Sequence, residues 1–136
     1  MTDSMAVVVG AGGGVGAALV AALAESGHRV AGFGRGTVPP IDLLDEASIA
    51  AAAAHVAARG TPALVIDATG FLHDAKFKPE RSWRDLDPAH IAHAFAVNAT
   101  GPALLMKHFL PLLPRTGRSV FATLSARVGS IGDNRL

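Results

Sequence analysis

Apolar and polar positions alternate along this chain in blocks of two kinds. Met5 to Gly10 (MAVVVG) is a continuous β-branched run closed by glycine, the pattern of a strand buried on both faces of a parallel sheet. Val15, Ala18, Leu19, Ala22 and Leu23 then recur at helical spacing, and Gly27 supplies a stop. His28 to Gly34 (HRVAGFG) predicts a second, weaker strand. Asp45-Glu46 opens an alanine-rich helix whose Ile49, Ala52, Ala53 and Val56 share one face before Gly60. Ala63 to Ala68 (ALVIDA) predicts a third buried strand, and HDAKFKPERSWRDLD, with few helix-period positions, a long loop with a turn of helix. Asp87-Pro88 is a cap followed by a first-turn proline, and a long apolar helix runs from there to about Pro111. On it Ile91, Phe95, Asn98, Pro102, Leu105 and Phe109 form a single stripe. Arg118 to Leu124 (RSVFATL) predicts the next strand.

Strands alternating with helices require right-handed crossovers, so the expected fold class is α/β: a doubly wound parallel sheet, Rossmann-like, in three layers. Residues 1–136 are expected to form a single domain of this kind, with its sites at the carboxyl ends of the strands. Composition narrows the partners. Twelve Lys and Arg against eleven Asp and Glu leave a net charge of +1, and the basic residues are scattered, so neither nucleic acid nor anionic lipid is an expected partner. The chain has no cysteine, which excludes disulfides and thiolate metal sites and points to a reducing, cytoplasmic address. No apolar stretch reaches the roughly 18 residues of a membrane helix. There is no tyrosine either.

GAGGGVG, residues 10 to 16, lies between the first strand and the first helix. Glycines there admit positive φ and let a phosphate approach the backbone and the helix N-terminus, so the loop predicts a dinucleotide pyrophosphate site at Gly10, Gly14, Val15 and Gly16. The second strand ends in GFGRG, with no acid to accept from a ribose 2′-hydroxyl. Arg35 can instead pair with a 2′-phosphate, which favours NADP over NAD; the alternative is an ordinary solvated arginine. On the long helix, Pro102 cannot donate to the Asn98 carbonyl four residues before it, and this frees that oxygen.

The spacing Gly10-x-x-x-Gly14-x-Gly16 resembles that of the short-chain dehydrogenases/reductases, whose motif opens on threonine where this chain has Val9. The family's Asn-Asn-Ala-Gly stands here as Asp67-Ala68-Thr69-Gly70, keeping only the glycine, and its Asn-x-x-Gly as Asn98-Ala99-Thr100-Gly101. FLHDAKFKPE, FAVNATGPALLMKHFLPLL and LSARVGSIGDN resemble its C-factor and carbonyl-reductase-like branch. The resemblance implies hydride transfer between a nicotinamide and a small carbonyl or alcohol. It implies adenine contacts at Asp42 and Leu43, cofactor contacts at Ala68 and Gly70, and a proton-relay water on the Asn98 carbonyl. It also implies homo-oligomers for the full-length protein. The catalytic serine falls on Ser125 or, aligned on ARVGS, on Ala126; Ser125 is otherwise a strand-end serine bonding its own backbone. The family's Tyr-x-x-x-Lys, with the last strands, is expected beyond Leu136, which makes this an incomplete domain whose final strand would be an apolar edge. The rival reading is a catalytically silent nucleotide-binding or signalling module.

Three other groupings carry less. His90 and His93 stand three residues apart without a third metal ligand and read as a solvated helix start. His73-Asp74 lacks the Gly-x-Ser-x-Gly elbow of a hydrolase. KFKPERSWRD reads as a solvated loop, with Trp83 free to pack on the domain or a partner.

Overall fold

The computed structural model describes residues 4–133. Four parallel strands form one sheet: β1 (Met5–Val9), β2 (Arg29–Phe33), β3 (Pro62–Asp67) and β4 (Val120–Thr123), in the order β2-β1-β3-β4. Helix α1 (Gly14–Glu25) connects β1 to β2, α2 (Glu46–Ala57) connects β2 to β3, and α3 (Pro88–Phe95) and α4 (Gly101–Phe109) precede β4. After β2 the chain reverses direction across the sheet. Right-handed crossovers in opposite directions place α1 on one face and α2 with α4 on the other. The reversal also leaves a crevice at the carboxyl ends of β1 and β3.

The α2/α4 face holds the core. Met5, Val7, Val9, Phe33 and Val65 of the sheet pack against Ile49, Ala52, Ala53 and Val56 of α2 and Leu105 and Phe109 of α4. The four α2 positions read from the sequence are thus the buried ones, and Asp45 caps the helix by accepting from the Ala47 N–H. Burying each large side chain contributes about 1.5–3 kcal/mol. On the other face α1 turns differently from the predicted stripe. Val15, Ala18 and Ala22 are exposed, Gly16 is the helix's one buried residue, and Leu19, Val20 and Leu23 are half-buried. Gly16 brings the helix so close to the end of β1 that the face centred on it, and not on Val15, meets the sheet.

The long helix departs from its predicted stripe for a related reason. Between α3 and α4, residues Ala96–Thr100 form a π-helical turn, which holds one residue more than an α-turn. Counting back from Phe109 and Leu105, the stripe slips by one position on crossing it. The inward residues are Gly101, Val97, Ala94 and His90, while Phe95 is 65% exposed and Asn98 is exposed. The π-turn lies just before Pro102, which lacks the N–H that an unbroken helix would use.

The 73–87 loop contains a single 3₁₀ turn, Trp83–Asp85, as expected, but it is not wholly solvated. Phe77 is buried and stacks on His90 with ring centres 5.0 Å apart. His90 is itself buried, with its Nδ1 3.1 Å from a Glu80 carboxylate oxygen. The expectation of a solvated His90–His93 helix start is therefore corrected for His90, which an aromatic cluster takes into the interior. Trp83 stays outside, beneath Arg84. No helix of the described residues is long and apolar enough to cross a membrane.

Glu46, at the start of α2, ties the two core helices together: one of its carboxylate oxygens accepts from Lys107 Nζ at 2.6 Å and lies 2.9 Å from His108 Nε2. These two bonds, Lys107 first, hold the Glu46 carboxyl below its ordinary value of 4.5. A depressed folded value means stabilisation that is present above pH 4.5 and lost as pH falls through the lower folded value. Glu46→Gln is expected to lower the melting temperature slightly at pH 7, the effect being small because the pair is exposed, and not at all in acid, so that the acid limb of melting temperature against pH flattens. Acid limbs of equal slope in the two proteins would refute this.

Candidate functional site

The crevice opens into a cavity of about 700 Å³, within the range of small-molecule and cofactor sites. One wall is the glycine loop, contributing Gly10, Gly12 and Gly13. Gly10 takes φ +87°, and a Cβ there would meet the Ala68 carbonyl oxygen at 2.9 Å. A Cβ on Gly16 would fall on the Gly10 carbonyl oxygen. These two absences let the end of β1, the start of α1 and the end of β3 meet. Gly10 and Ala11 then donate their N–H groups to the Phe33 carbonyl, fastening the loop to the end of β2. No side chain caps the N-terminus of α1, and its N-cap residue, Gly13, lines the cavity, so the positive dipole end of the helix stands at the crevice.

The second wall is the turn after β2. The Gly34 N–H donates to the Thr37 hydroxyl at 3.0 Å, and that hydroxyl donates to the Pro39 carbonyl at 2.8 Å, shaping the turn that presents Arg35. Arg35 is exposed at the rim. Asp42 and Leu43 follow on the same wall. One Asp42 oxygen accepts from the Leu44 N–H at 2.9 Å, leaving the carboxylate a second oxygen for a ligand. Leu43 is buried against Gly101, where a Cβ would meet its side chain at 2.8 Å. The glycine of Asn-x-x-Gly thus makes room for a residue of the cavity wall.

The third wall is the end of β3 and the segment after it: Ala68, Thr69, Gly70 and then Phe71 to Asp74, opposite Val97 and His93 of the long helix. Asn98 clamps this segment, its amide oxygen accepting from the Phe71 N–H at 2.8 Å and its amide nitrogen donating to the Phe71 carbonyl at 2.7 Å. Asn98 was expected in a core stripe; its side chain is instead engaged by the loop, because the π-turn rotates Val97 inward in its place. The Asp74 carboxyl is held below its ordinary value first by the Phe77 N–H, against the effect of burial, and further by the Lys76 N–H and the His93 and Lys76 charges.

Of the residues singled out in the sequence, Gly10, Arg35, Asp42, Leu43, Ala68 and Gly70 line this one cavity. Gly14, Val15 and Gly16 stand beside it in the first turn of α1, and Asn98 is one residue beyond its wall. Ser125 lies apart from the cavity, exposed, two residues past the end of β4. Sequence reasoning did not single out Val97, and it weighed His93 only with His90 as a metal pair and Thr69 only as a departure from the Asn-Asn-Ala-Gly motif; a one-residue shift of the helical stripe would have found Val97.

The room that the loop leaves for an anion can be separated from the packing of the loop itself. A Cβ on Gly14 would have nothing within 4 Å, whereas one on Gly16 collides with backbone. Gly14→Ala is expected to leave unliganded stability within about 1 kcal/mol of wild type while weakening dinucleotide binding. Gly16→Ala is expected to cost about 2 kcal/mol or more in urea unfolding. Equal stability losses in the two variants would sink this separation.

No family model and no curated protein matches the sequence. Solved structures match it by fold. A metagenomic short-chain oxidoreductase in complex with NADP is 26% identical, with a TM-score of 0.79 over 96% of this chain and 65% of its own. The NADPH-bound carbonyl reductase from chicken fatty liver is 23% identical, with a TM-score of 0.81 over 96% of this chain and 60% of its own. A short-chain dehydrogenase from Streptomyces avermitilis is 23% identical, with a TM-score of 0.81 over 96% of this chain and 52% of its own. The chain therefore spans about half to two thirds of the length of these proteins, and over that part it has the fold of the short-chain dehydrogenases/reductases.

Proposed function

We propose that this chain is the cofactor-binding part of an NADP-preferring oxidoreductase that acts on a small carbonyl or alcohol. One observation carries the reading: a single cavity joins an uncapped helix N-terminus, an exposed arginine at the end of the second strand, and the Asp42-Leu43 wall. The pyrophosphate would lie on the Gly10–Gly16 loop, where backbone N–H groups and the α1 dipole favour an anion. Arg35 would take the 2′-phosphate as a charge-assisted fork, and Asp42, Leu43, Ala68, Gly70 and Val97 would enclose the adenosine. When bound, the nicotinamide supplies the hydride chemistry. The Asn98 carbonyl, which Pro102 cannot satisfy, would hold a water of the proton relay, and Ser125, at the carboxyl end of the sheet, would orient the substrate oxygen.

None of the 136 residues is a tyrosine, so the general acid that the family resemblance implies is assigned to the rest of a longer protein. The same composition is what favours the second reading, a nucleotide-binding module without chemistry. For the whole protein a homo-oligomer is proposed, for which the outward-facing Phe95, Met106 and Leu110 offer apolar surface.

Binding of NADPH and NADH by the full-length protein, followed by calorimetry, tests the reading. NADPH is expected to bind more tightly, and Arg35→Ala to reduce the difference about tenfold, the worth of one charge-assisted hydrogen bond. Binding of neither nucleotide overturns the cofactor assignment, and equal binding of both removes the role given to Arg35. Cofactor binding without turnover of any carbonyl or alcohol would favour the module.

A further inference from the structure

Next to Ala68 and Thr69 of the cavity wall stands an ionisable group that the proposed function does not use. Asp67, the last residue of β3, is fully buried. One of its oxygens accepts from the Thr69 N–H at 3.0 Å and from the Thr69 hydroxyl at 2.5 Å. The other accepts from the Thr123 hydroxyl at 2.8 Å, across to the end of β4. Three groups converge on it, one backbone N–H and two hydroxyls, and none of the three carries a charge. The ion pairs of the described residues lie elsewhere, at Glu80–His90, at Glu46 with Lys107 and His108, and at Arg127–Asp133. A buried carboxylate without a cation is far more costly than the amide of the same shape that would fit there.

A dinucleotide at a switch point straddles it, with its pyrophosphate on the helix N-terminus and its two halves over opposite halves of the sheet. Arg35 and Asp42 place the adenosine half on the β2 side, which leaves the nicotinamide half over β3 and β4. The Asp67 carboxylate lies under that half, and its partner Thr123 is two residues before Ser125. The oxidised ring carries a positive charge and the reduced ring is neutral. We propose that Asp67 is a specificity-determining residue that biases the site toward the oxidised cofactor. The inference rests on the dinucleotide reading of the cavity and deepens it, since it concerns which member of the redox pair the site prefers.

The test is a pair of dissociation constants, for NADP⁺ and NADPH, measured on the full-length wild type and on Asp67→Asn and Asp67→Ser. Loss of one charge in the protein interior is expected to raise the ratio Kd(NADP⁺)/Kd(NADPH) about fivefold in both variants. Thr123→Val, which removes a donor but keeps the carboxylate, is expected to leave the ratio within about twofold of wild type. Neutral variants that weaken both forms equally make Asp67 a structural residue and overturn the proposal, as does failure of both neutral variants to fold. A wild type that binds neither form overturns the dinucleotide reading itself, whereas tight binding with an unmoved ratio overturns this inference alone.

Discussion

The contact between the first turn of α1 and the Gly10 carbonyl governs the rest of the molecule. Because neither Gly10 nor Gly16 has a side chain, three pieces of backbone meet at the carboxyl end of β1: the loop, the helix start and the Ala68 segment of β3. A helix held farther away would still cross over the sheet, but its N-terminal N–H groups would open on solvent and not on the crevice. The same contact explains why α1 buries a glycine and leaves Val15 58% exposed, an arrangement that a hydrophobic stripe alone would not choose. Packing on this face is surrendered to bring a dipole end to the cavity.

The opposite face is built for packing. Here the alanines of α2 let the helix lie close against α4, whose Leu105 and Phe109 complete the layer over the sheet. The π-turn stands at the join between this core and the cavity. It adds a residue to the long helix just where Pro102 removes a donor, so Leu105 and Phe109 remain in the core while Val97 swings into the cavity wall. The accompanying rotation sends Asn98 sideways to the Phe71 backbone. Together with the Phe71, Phe77, His90 and His93 rings, that clamp fixes the segment after β3 against the helix. A backbone irregularity thus positions one whole wall of the site.

How much of this was legible depended on the range of the forces involved. The strand runs, the α2 face and the glycine loop follow from local rules, period and backbone freedom, and they stand in the structure where the residues put them. The stripe through Ile91, Phe95 and Asn98 assumed an unbroken 3.6-residue period, and the π-turn broke it. The exposure assigned to His90 failed, as it did for Phe77 within the otherwise exposed KFKPERSWRD loop, because Phe77 and Glu80 meet His90 only after the chain has folded back on the helix.

By itself the sequence determined the alternation of elements, the parallel sheet and the glycine loop between β1 and α1, since each is a property of a few neighbouring residues. Only the tertiary structure decided which of the marked residues share a cavity. It brought Arg35 and Asp42 of the β2–α2 connection together with Ala68 and Gly70 after β3 and left Ser125 outside. It also set Asp67 between two threonines 54 residues apart in the chain (123 − 69). Distances across a sheet are set by register and crossover direction, and no local pattern of side chains encodes them.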